Sequence, residues 1–459
     1  VVTTEVVVVG AGNAGCTAAC SCVENGSEVV VIEAQNAIHG QGGGVGLCNT
    51  KYVQSLVDEG KLPHMTDVVE HQNIWVQRCG SRVNEALVSM WFNNSPEAGN
   101  WLIDKCAEFG VVPVSFRAHA PNAIIPESYD YHMFVNVGDH QFDSKCGYFA
   151  ATNVLYEDSQ NAEKYEPPAT FFFNTKAQEL LVEDGRVTGV FAQRDGELWL
   201  FRATKGVILA TGGYAQNREM MARYPEVEGY ATQVPAGNLG DGLVMAQAVG
   251  AQVFDAPATQ VVYCSFTCGV GINEEAGLIV NNKGERFANE YTYQYHVGDQ
   301  MAKTGSNFGY YIADPNDPNM TVLYGLSLES TPVANSIEEL AALIEIDPAT
   351  LKATVDRYNE LCAAGKDEDF GKSADKMIPL TGPTYAAIKL NPAVTVTYGG
   401  LVTDTASRVL NAEGSPISGL YAAGEVAFSG LFGTEYPCCG MAIGSAIYYG
   451  RIAGQEAVK

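Results

Sequence analysis

A glycine-rich turn near the start of the chain restricts the fold more than any other feature. Residues Glu5 to Val9 form an apolar, β-branched run that predicts a buried strand. Gly10-Ala11-Gly12-Asn13-Ala14-Gly15 follows with the spacing GxGxxG. In that spacing Gly10 permits the tight turn, Gly12 lets the main chain approach a pyrophosphate, and Gly15 lets the next helix pack closely on the strand. We therefore predict a dinucleotide-binding turn, with Asn13 and Ala14 as further contacts at the start of the helix.

The residues after the turn complete the pattern. The helix is predicted to end near Glu24 at the stop signal Asn25-Gly26, and a second apolar strand from Glu28 to Ile32 leads to Glu33. An acid about 20 residues after the turn is placed to accept hydrogen bonds from ribose hydroxyls. The alternative is an ordinary glycine-rich turn, but strand, helix and acid in this order favour the dinucleotide site.

The last sixty or so residues contain a second strand, turn and helix. Gly419 to Glu425 reads GLYAAGE, and Gly433 to Gly444 includes the start of a small-residue helix near Met441. This order is typical of a flavoenzyme that closes its sheet beneath the isoalloxazine ring. The positive end of the helix, with Met441, Ala442 and Ile443 as contacts, would stabilise the anion that builds at the pyrimidine edge of reduced FAD. FAD is therefore the predicted cofactor.

Further glycine-rich segments indicate places where the main chain passes close to the cofactor. We expect contacts in the loop at Gly42, Gly43 and Gly44, and in a turn at the adenine half at Ala210, Thr211 and Gly212, with Asp241 added from the segment GNLGDG. His39 precedes the first loop, but its spacing differs from that of flavoproteins with covalent FAD, so we expect dissociable FAD.

Charge and length narrow the class of protein. The 459 residues carry a formal net charge of -26, which disfavours nucleic acid and anionic lipid as partners because no basic patch offsets that field. No apolar run is long enough to span a bilayer. The first residue is Val1 rather than methionine, which is consistent with removal of an export signal or an electron-transfer module, and we favour an exported location, periplasmic or at the cell surface, over the cytoplasm.

The twelve cysteines do not have the spacing of a metal site. Cys16, Cys20 and Cys22 lie on the first predicted helix, where small apolar side chains must pack on the sheet, so we interpret them as buried thiols. We expect no bound metal.

The order of the motifs resembles the fumarate reductase and 3-ketosteroid dehydrogenase superfamily of FAD proteins over nearly the whole chain. The motifs are GxGxxG, DGRVTGV, VILATGG, GNLGDG, NNKGERFANE and GLYAAGE. The resemblance implies an α/β fold with a split, Rossmann-like FAD domain of the two-dinucleotide-binding type and an inserted α+β cap domain. We place the FAD domain at residues 1–258 and 383–459 and the cap, or substrate, domain at 259–382. Glu425 resembles the family acid that holds the ribityl chain.

Fumarate is not the expected substrate. Fumarate reductases have an arginine, a histidine and a second arginine that handle the substrate, and by alignment the first two positions fall on Gln294 and Val396, while 434–440 contains no arginine. A buried dicarboxylate without those cations would cost several kcal/mol per ion.

The closing motif instead resembles the ketosteroid dehydrogenases, which have Tyr-x-x-x-Gly where this chain has Tyr436 and Gly440. In that family the pair binds the substrate carbonyl, and a phenol and a main-chain N–H aimed at one oxygen stabilise an enolate. The resemblance assigns this role to Tyr436 and Gly440. The alternative is a tyrosine that only packs on the flavin.

The resemblance also implies a cap-domain tyrosine that moves a proton at the α carbon. The candidates are Tyr293 and Tyr295, and Tyr291 and His296 lie in the same segment. On a strand, alternation would put the three tyrosines on one face. A surface aromatic cluster is the alternative.

We therefore predict an FAD-dependent oxidoreductase acting on CH–CH groups, which moves hydride between flavin N5 and the carbon β to an activating carbonyl. The favoured reaction is anaerobic reduction of an enone or unsaturated acid, on a small apolar or aromatic substrate with a carbonyl, with a separate electron-donor protein or domain. The alternatives are a 3-ketosteroid dehydrogenase that forms the C=C bond and, from another class, a flavin electron-transfer protein without turnover.

Overall fold

The computed structural model describes residues 1–42, 44–80, 82–115, 131–256, 259–265, 270–271, 277–292, 294–317, 331–433, 435–437 and 440–459. Of residues 131, 259–265, 270–271 and 294–295 only the backbone is described. The chain forms two compact units: unit 1 contains Val1–Met221, Val234–Thr259 and Val396–Lys459, and unit 2 contains Ala222–Gln233 and Gln260–Thr395. The boundaries predicted from the sequence stay a prediction.

The strands, in chain order, are β1 Val2–Val9, β2 Val29–Ile32, β3 Val45–Gly46, β4 Val111–Ser115, β5 Tyr131–Asn136, β6 Thr170–Phe172, β7 Thr175–Glu183, β8 Arg186–Arg194, β9 Glu197–Leu209, β10 Ala231–Thr232, β11 Val253–Phe254, β12 Thr259–Ser265, β13 Val270–Gly271, β14 Leu278–Asn281, β15 Gly309–Ala313, β16 Val333–Ala334, β17 Tyr385–Thr397, β18 Gly400–Leu401, β19 Arg408–Leu410 and β20 Pro416–Ala422. The α-helices are α1 Asn13–Glu24, α2 Lys51–Asp58, α3 Val68–Arg78, α4 Glu85–Glu108, α5 Ala150–Ser159, α6 Arg218–Met221, α7 Asp241–Ala248, α8 Gln294–Lys303, α9 Ile337–Leu343, α10 Pro348–Ala364 and α11 Met441–Ala457.

The main sheet of unit 1 belongs to the Rossmann-like fold that the resemblance implied. Its parallel strands run β20-β9-β1-β2-β6, and the antiparallel strand β19 pairs with β20. The apolar run of β1 lies in the centre, where Val6, Val7 and Val8 are fully buried, because a strand covered on both faces needs apolar side chains on both faces. Asp184 and Gly185, a typical two-residue turn, join β7 and β8 into a hairpin that extends the sheet beside β9.

Helices from opposite ends of the chain cover this sheet together. A Cβ atom on Gly450 of α11 would lie 2.6 Å from the carbonyl oxygen of Ala14, and one on Gly454 would lie 2.6 Å from that of Ala18. Only glycine allows α11 to approach α1 this closely. The contact brings the C-terminal helix beside the glycine-rich turn, which places the two predicted cofactor motifs in one unit.

Unit 2 has its own sheet and core. Strand β17 pairs with β15 and β16, and β15 pairs with β14, all in antiparallel register. Helices α9 and α10 bury Leu340, Leu351 and Val355 in a cluster with the strand residues Leu278 and Ile312. The mixture of an antiparallel sheet with helices agrees with the α+β character predicted for the inserted domain.

The first helix buries its thiols, as predicted. Cys16, Cys20 and Cys22 are fully buried, and burial raises the pKa of the Cys22 thiol to about 12. In the part of the chain that the structure describes, no group of three or more His, Cys, Asp or Glu residues could hold a metal ion. The same described residues include no helix long and apolar enough to cross a membrane. The expected absence of a metal and of a membrane span stays a prediction.

Candidate FAD and substrate site

Three helices of unit 1 begin with glycine caps at the predicted cofactor motifs. Helices α1, α7 and α11 start after Gly12, Gly240 and Gly440, and these cap residues have no side chain that could accept a hydrogen bond from the first turn. By contrast, α2, α3 and α4 each have a side chain that accepts a hydrogen bond from the first turn. Uncapped N-termini leave main-chain N–H groups and a partial positive charge for an anionic or electron-rich ligand.

The first turn depends on glycine. Gly10 has φ +104°, and a Cβ atom there would lie 2.3 Å from the carbonyl oxygen of Ala210. A Cβ atom on Gly15 would lie 1.9 Å from the carbonyl oxygen of Gly10. The turn at Gly10 therefore packs directly against the predicted turn that starts at Ala210, and the two predicted cofactor segments meet at the ends of β1 and β9.

Glu33 lies at the end of β2, beside the turn. Its carboxylate is buried and accepts hydrogen bonds from the main-chain N–H groups of Ala11 (2.7 Å) and Gln35 (2.8 Å). The acid is thus fixed next to the pyrophosphate turn by main-chain donors. This position suits the ribose-binding role predicted for it, which stays a prediction.

The glycine loop joins the two ends of the site. The side chain of Asn13 donates to the carbonyl oxygen of Gln41 at 2.9 Å, and the N–H of Gly46 donates to the carbonyl oxygen of Gly440 at 2.9 Å. A Cβ atom on Gly42, at φ +105°, would lie 2.2 Å from Cδ1 of Ile443. Gly44 is buried in the same loop, whereas Gly43 lies outside the described residues. The loop therefore connects the start of α1 to the start of α11.

Adding a methyl group where the loop meets α11 tests this junction. A Cβ atom on Gly444 would lie 1.8 Å from the carbonyl oxygen of Gly46, so Gly444→Ala forces main-chain atoms apart. We expect a cost of about 1–3 kcal/mol and an FAD affinity that falls by about 10- to 100-fold, measured by fluorescence titration of the apoprotein. Ser445→Ala, at the next helical position, should keep the affinity. Unchanged FAD binding by Gly444→Ala would show that the loop does not shape the cofactor site.

A second group of contacts surrounds the turn after β9. A Cβ atom on Gly213 would lie 2.2 Å from both Oε1 of Glu425 and Oγ1 of Thr397. Glu425 accepts from the N–H and the hydroxyl of Thr397, at 2.8 Å each, and from the side-chain amide of Asn238 at 3.2 Å. Asn238 and Thr397 were not predicted as site residues. Asn238 lies in the segment GNLGDG at 237–242 and Thr397 begins the segment TYGG at 397–400, and the glycines of these segments could have indicated that both residues lie at the site.

The remaining predicted residues of this turn differ in their surroundings. Thr211 Oγ1 is buried without a hydrogen-bond partner among the described residues, and Gly212 has φ +72°. Asp241, at the start of α7, forms an ion pair with Lys176 at 3.1 Å. The carboxylate of Asp241 is therefore already paired, so its predicted contact with the cofactor would have to share that ion pair.

Tyr436 lies at the start of α11. Its side chain is buried, its ring packs on Phe432 with centroids 5.2 Å apart, and its hydroxyl oxygen accepts a hydrogen bond from the N–H of Ala442 at 2.7 Å. Gly440, at φ +79°, caps the same helix. The structure thus brings the two predicted carbonyl-binding residues to one helix N-terminus.

The segment with the proposed proton donor is not the strand that we expected. Residues 290–292 form bends, and α8 begins at Gln294, so Tyr295 lies on a helix and not on a strand that would put the three tyrosines on one face. Tyr293 and the side chain of Tyr295 lie outside the described residues. Tyr291 packs beside Lys376, whose Nζ is 5.0 Å from the ring centroid. Desolvation of the imidazole and the positive charge of Lys303 lower the pKa of His296 on α8.

The residues of unit 1 fit FAD. The glycine-capped helix starts offer main-chain donors, Glu33 is fixed by the turn, and the buried hydroxyl of Thr211 needs a partner that the described residues do not supply. A ligand with phosphates, ribose hydroxyls and a polar ring edge would satisfy these groups.

Comparison with known proteins identifies the family. The family model described as "FAD binding domain" matches residues 5–443. A fumarate reductase (cytochrome) of Shewanella frigidimarina is 31% identical over 467 residues, covering 100% of this chain and 77% of that protein. A urocanate reductase of Eggerthella lenta is 29% identical and covers 99% of this chain and 74% of that protein.

Solved structures agree with the sequence comparison. A 3-ketosteroid-Δ4-(5α)-dehydrogenase from Rhodococcus jostii RHA1, solved with 4-androstene-3,17-dione, matches with a TM-score of 0.78 at 26% identity. The match covers 100% of this chain and 97% of that chain. The chain therefore belongs to the FAD binding domain family, with fumarate reductases, urocanate reductase and 3-ketosteroid dehydrogenases, and it is an FAD-dependent oxidoreductase that acts on CH–CH groups.

Proposed function

We propose that this enzyme reduces the C=C bond of an enone or an unsaturated acid other than fumarate, with Tyr436 and Gly440 holding the activating carbonyl. FAD, when bound, supplies or accepts the hydride through N5 of its ring system. The protein binds and orients the substrate carbonyl and stabilises the negative charge that its oxygen gains when the β carbon receives hydride. A proton donor then completes the reaction at the α carbon, and Tyr293 or Tyr295 stays our candidate for it.

The hydrogen bond between Ala442 and Tyr436 is the observation that carries this proposal. The hydroxyl oxygen accepts the N–H of Ala442 at 2.7 Å, and a phenol oxygen that accepts one hydrogen bond still carries a proton with which the group can act as a donor. The donor lies in the first turn of α11, where the partial positive charge of the helix is largest. A hydroxyl polarised in this way is a stronger donor to a developing enolate oxygen.

The residues at the positions aligned with the fumarate-binding cations support a substrate other than fumarate. Val396 is a buried apolar residue, and the segment 434–440 contains no arginine. The residue aligned with the proton-donating arginine is Gln294. A monocarboxylate, an enone or an aromatic substrate would leave fewer charges uncompensated there than a dicarboxylate would.

Oxidation to form the C=C bond is the second candidate. The resemblance of Tyr436 and Gly440 to the ketosteroid dehydrogenase motif and the overall similarity to a 3-ketosteroid-Δ4-(5α)-dehydrogenase favour it. The relatives are enzymes by name, which disfavours an electron carrier without turnover. A separate electron-donor protein or domain, an apolar or aromatic substrate and an exported location belong to the same proposal.

A panel of substrates tests the proposal directly. The bound flavin is reduced anaerobically, and its reoxidation is followed after addition of fumarate, urocanate, cinnamates or 3-ketosteroids. We expect fast reoxidation with a carbonyl-activated substrate of the panel and none with fumarate. In the reverse direction, bleaching of the oxidised flavin by a saturated 3-ketosteroid would favour the dehydrogenase. Rapid turnover of fumarate would show that the interpretation of Gln294 and Val396 is wrong.

A further inference from the structure

The carboxylate of Glu425 is surrounded by neutral donors. It accepts from the N–H and hydroxyl of Thr397 and from the amide of Asn238, and the N–H of Gly213 donates to it as well. Among the described residues, no Lys, Arg or His lies within ion-pair distance of it. Glu425 is therefore a partly buried acid whose charge, among the described residues, is stabilised by hydrogen bonds alone.

Two buried acids of the chain are paired with a cation instead. Asp158, fully buried in unit 1, has Lys105 at 2.7 Å, and Asp367, fully buried in unit 2, has Arg286 at 2.8 Å. A buried carboxylate without a cation keeps a net negative charge in a region of low dielectric, where charges act over longer distances than in water. The pKa of such a carboxyl group therefore changes strongly when the charge of a neighbouring group changes.

Glu425 stands among the predicted cofactor contacts. Its neighbour Gly213 continues the turn of Thr211 and Gly212, and a Cβ atom on Gly424 would lie 2.9 Å from Cβ of Ala14 in the GxGxxG turn. The inference rests on the placement of FAD against these residues that was proposed above, and it does not depend on which substrate the enzyme takes.

We propose that Glu425 is a redox-linked proton site, which takes up one proton when the bound FAD is reduced. A two-electron reductant delivers two electrons and one proton to the cofactor, which then carries one more negative charge. The carboxylate of Glu425 takes a second proton from solvent and becomes a neutral carboxylic acid. Two electrons and two protons enter together, so the net charge of the site does not change.

The surroundings of Glu425 favour uptake of this proton. Burial raises its pKa, although the hydrogen bonds from Thr397, Asn238 and Gly213 oppose the rise. The groups that contact it from the turn, the loop before α7 and the end of β17 are neutral. The nearest ionisable residues along those segments are Tyr214, Tyr398 and Asp241, and Asp241 is paired with Lys176. A nearby negative charge raises the pKa of a carboxylate further.

Potentiometric titration of the holoenzyme over a series of pH values tests the proposal. Uptake of one proton with two electrons lowers the midpoint potential by about 30 mV per pH unit, and uptake of two protons lowers it by about 59 mV per pH unit. We expect the steeper slope between the pKa of Glu425 in the oxidised protein and its higher pKa in the reduced protein, with the shallower slope on both sides.

Glu425→Gln removes the titrating group. In acid, where Glu425 is neutral, the variant and the wild type should have nearly equal potentials. As the pH rises the wild-type potential should fall below that of the variant, because the wild type gains a negative charge, and the variant should keep the shallower slope of about 30 mV per pH unit throughout. Glu183→Gln, which removes an exposed carboxylate paired with Arg202, should follow the wild-type curve.

Redox-difference infrared spectroscopy of the wild type gives a second measurement if the variant binds FAD poorly. A protonated carboxyl band should grow on reduction. A wild-type slope of about 30 mV per pH unit throughout, with no such band, would overturn the proposal. The substrate panel is independent of this result, so a wrong assignment of Glu425 and a wrong assignment of the substrate can be told apart.

Discussion

The Tyr436→Phe enzyme is expected to reoxidise its reduced flavin with substrate about 10²- to 10³-fold more slowly than the wild type, the usual loss when one oxyanion donor is removed. Phenylalanine keeps the ring that packs on Phe432 but removes the hydroxyl that accepts from Ala442. The substrate oxygen would then keep only the donor from Gly440. The loss should fall on the rate of hydride transfer, because the hydrogen bond strengthens as negative charge develops.

Stopped-flow measurement with a substrate from the panel separates the rate of hydride transfer from substrate binding. Tyr398→Phe is the matched control, since Tyr398 is buried in the same aromatic cluster, 6.0 Å from Phe432 between ring centroids. We expect that control to stay within a few-fold of the wild type. An unchanged rate for Tyr436→Phe would show that Tyr436 only packs at the start of α11. The proposed carbonyl site would then have no support.

Local sequence signals were sufficient to predict the dinucleotide-binding part of the fold. The apolar run before Gly10, the glycine spacing and the acid Glu33 lie within about thirty residues, and each has a direct structural cause in turn geometry or in packing. The hairpin around Asp184 and Gly185 follows from the same kind of local signal.

Contacts between distant segments could not be predicted in this way. The approach of Gly42 to Ile443 and the hydrogen bonds to Glu425 from Asn238 and Thr397 join segments that are far apart in the sequence. Their geometry depends on how α11 packs on α1 and on how the turn after β9 meets the end of β17. A single sequence gives the motifs but not the distances between them.

The error at the tyrosine segment has a physical explanation. Tyrosine and threonine at 291–295 favour a strand by propensity, but the residues that follow bury Val297 and Met301, four positions apart on α8. The burial of that helical face overrides the local preference. The apolar pair at a spacing of four was a visible sign of the helix, and alternation of aromatic residues alone was a weaker one.

A buried ion-pair cluster in unit 2 leads to the largest expected loss of stability. Arg286 is almost fully buried and forms hydrogen-bonded ion pairs with Glu290 and Asp367, each at 2.8 Å. The two charged partners hold the pKa of the Arg286 guanidinium above its ordinary value despite burial, and hydrogen bonds from Arg286 and from main-chain N–H groups hold the pKa of Asp367 well below its own. Lys372 lies 3.4 Å from Glu290, so Glu290 keeps a second cation.

We expect Arg286→Met to destabilise unit 2 by about 3–5 kcal/mol, because it leaves Asp367 buried without its cation. Hydrogen–deuterium exchange of β14 and α10 measures the loss within the unit itself. Arg357→Met on α10 is the matched control, since it also removes one positive charge from unit 2 but breaks a solvent-exposed pair with Asp369, and exposed pairs contribute little. Adding Asp367→Asn to Arg286→Met should restore part of the protection by removing the unpaired charge. Equal protection in Arg286→Met and Arg357→Met would mean that water reaches the cluster and that the buried charges do not hold unit 2 together.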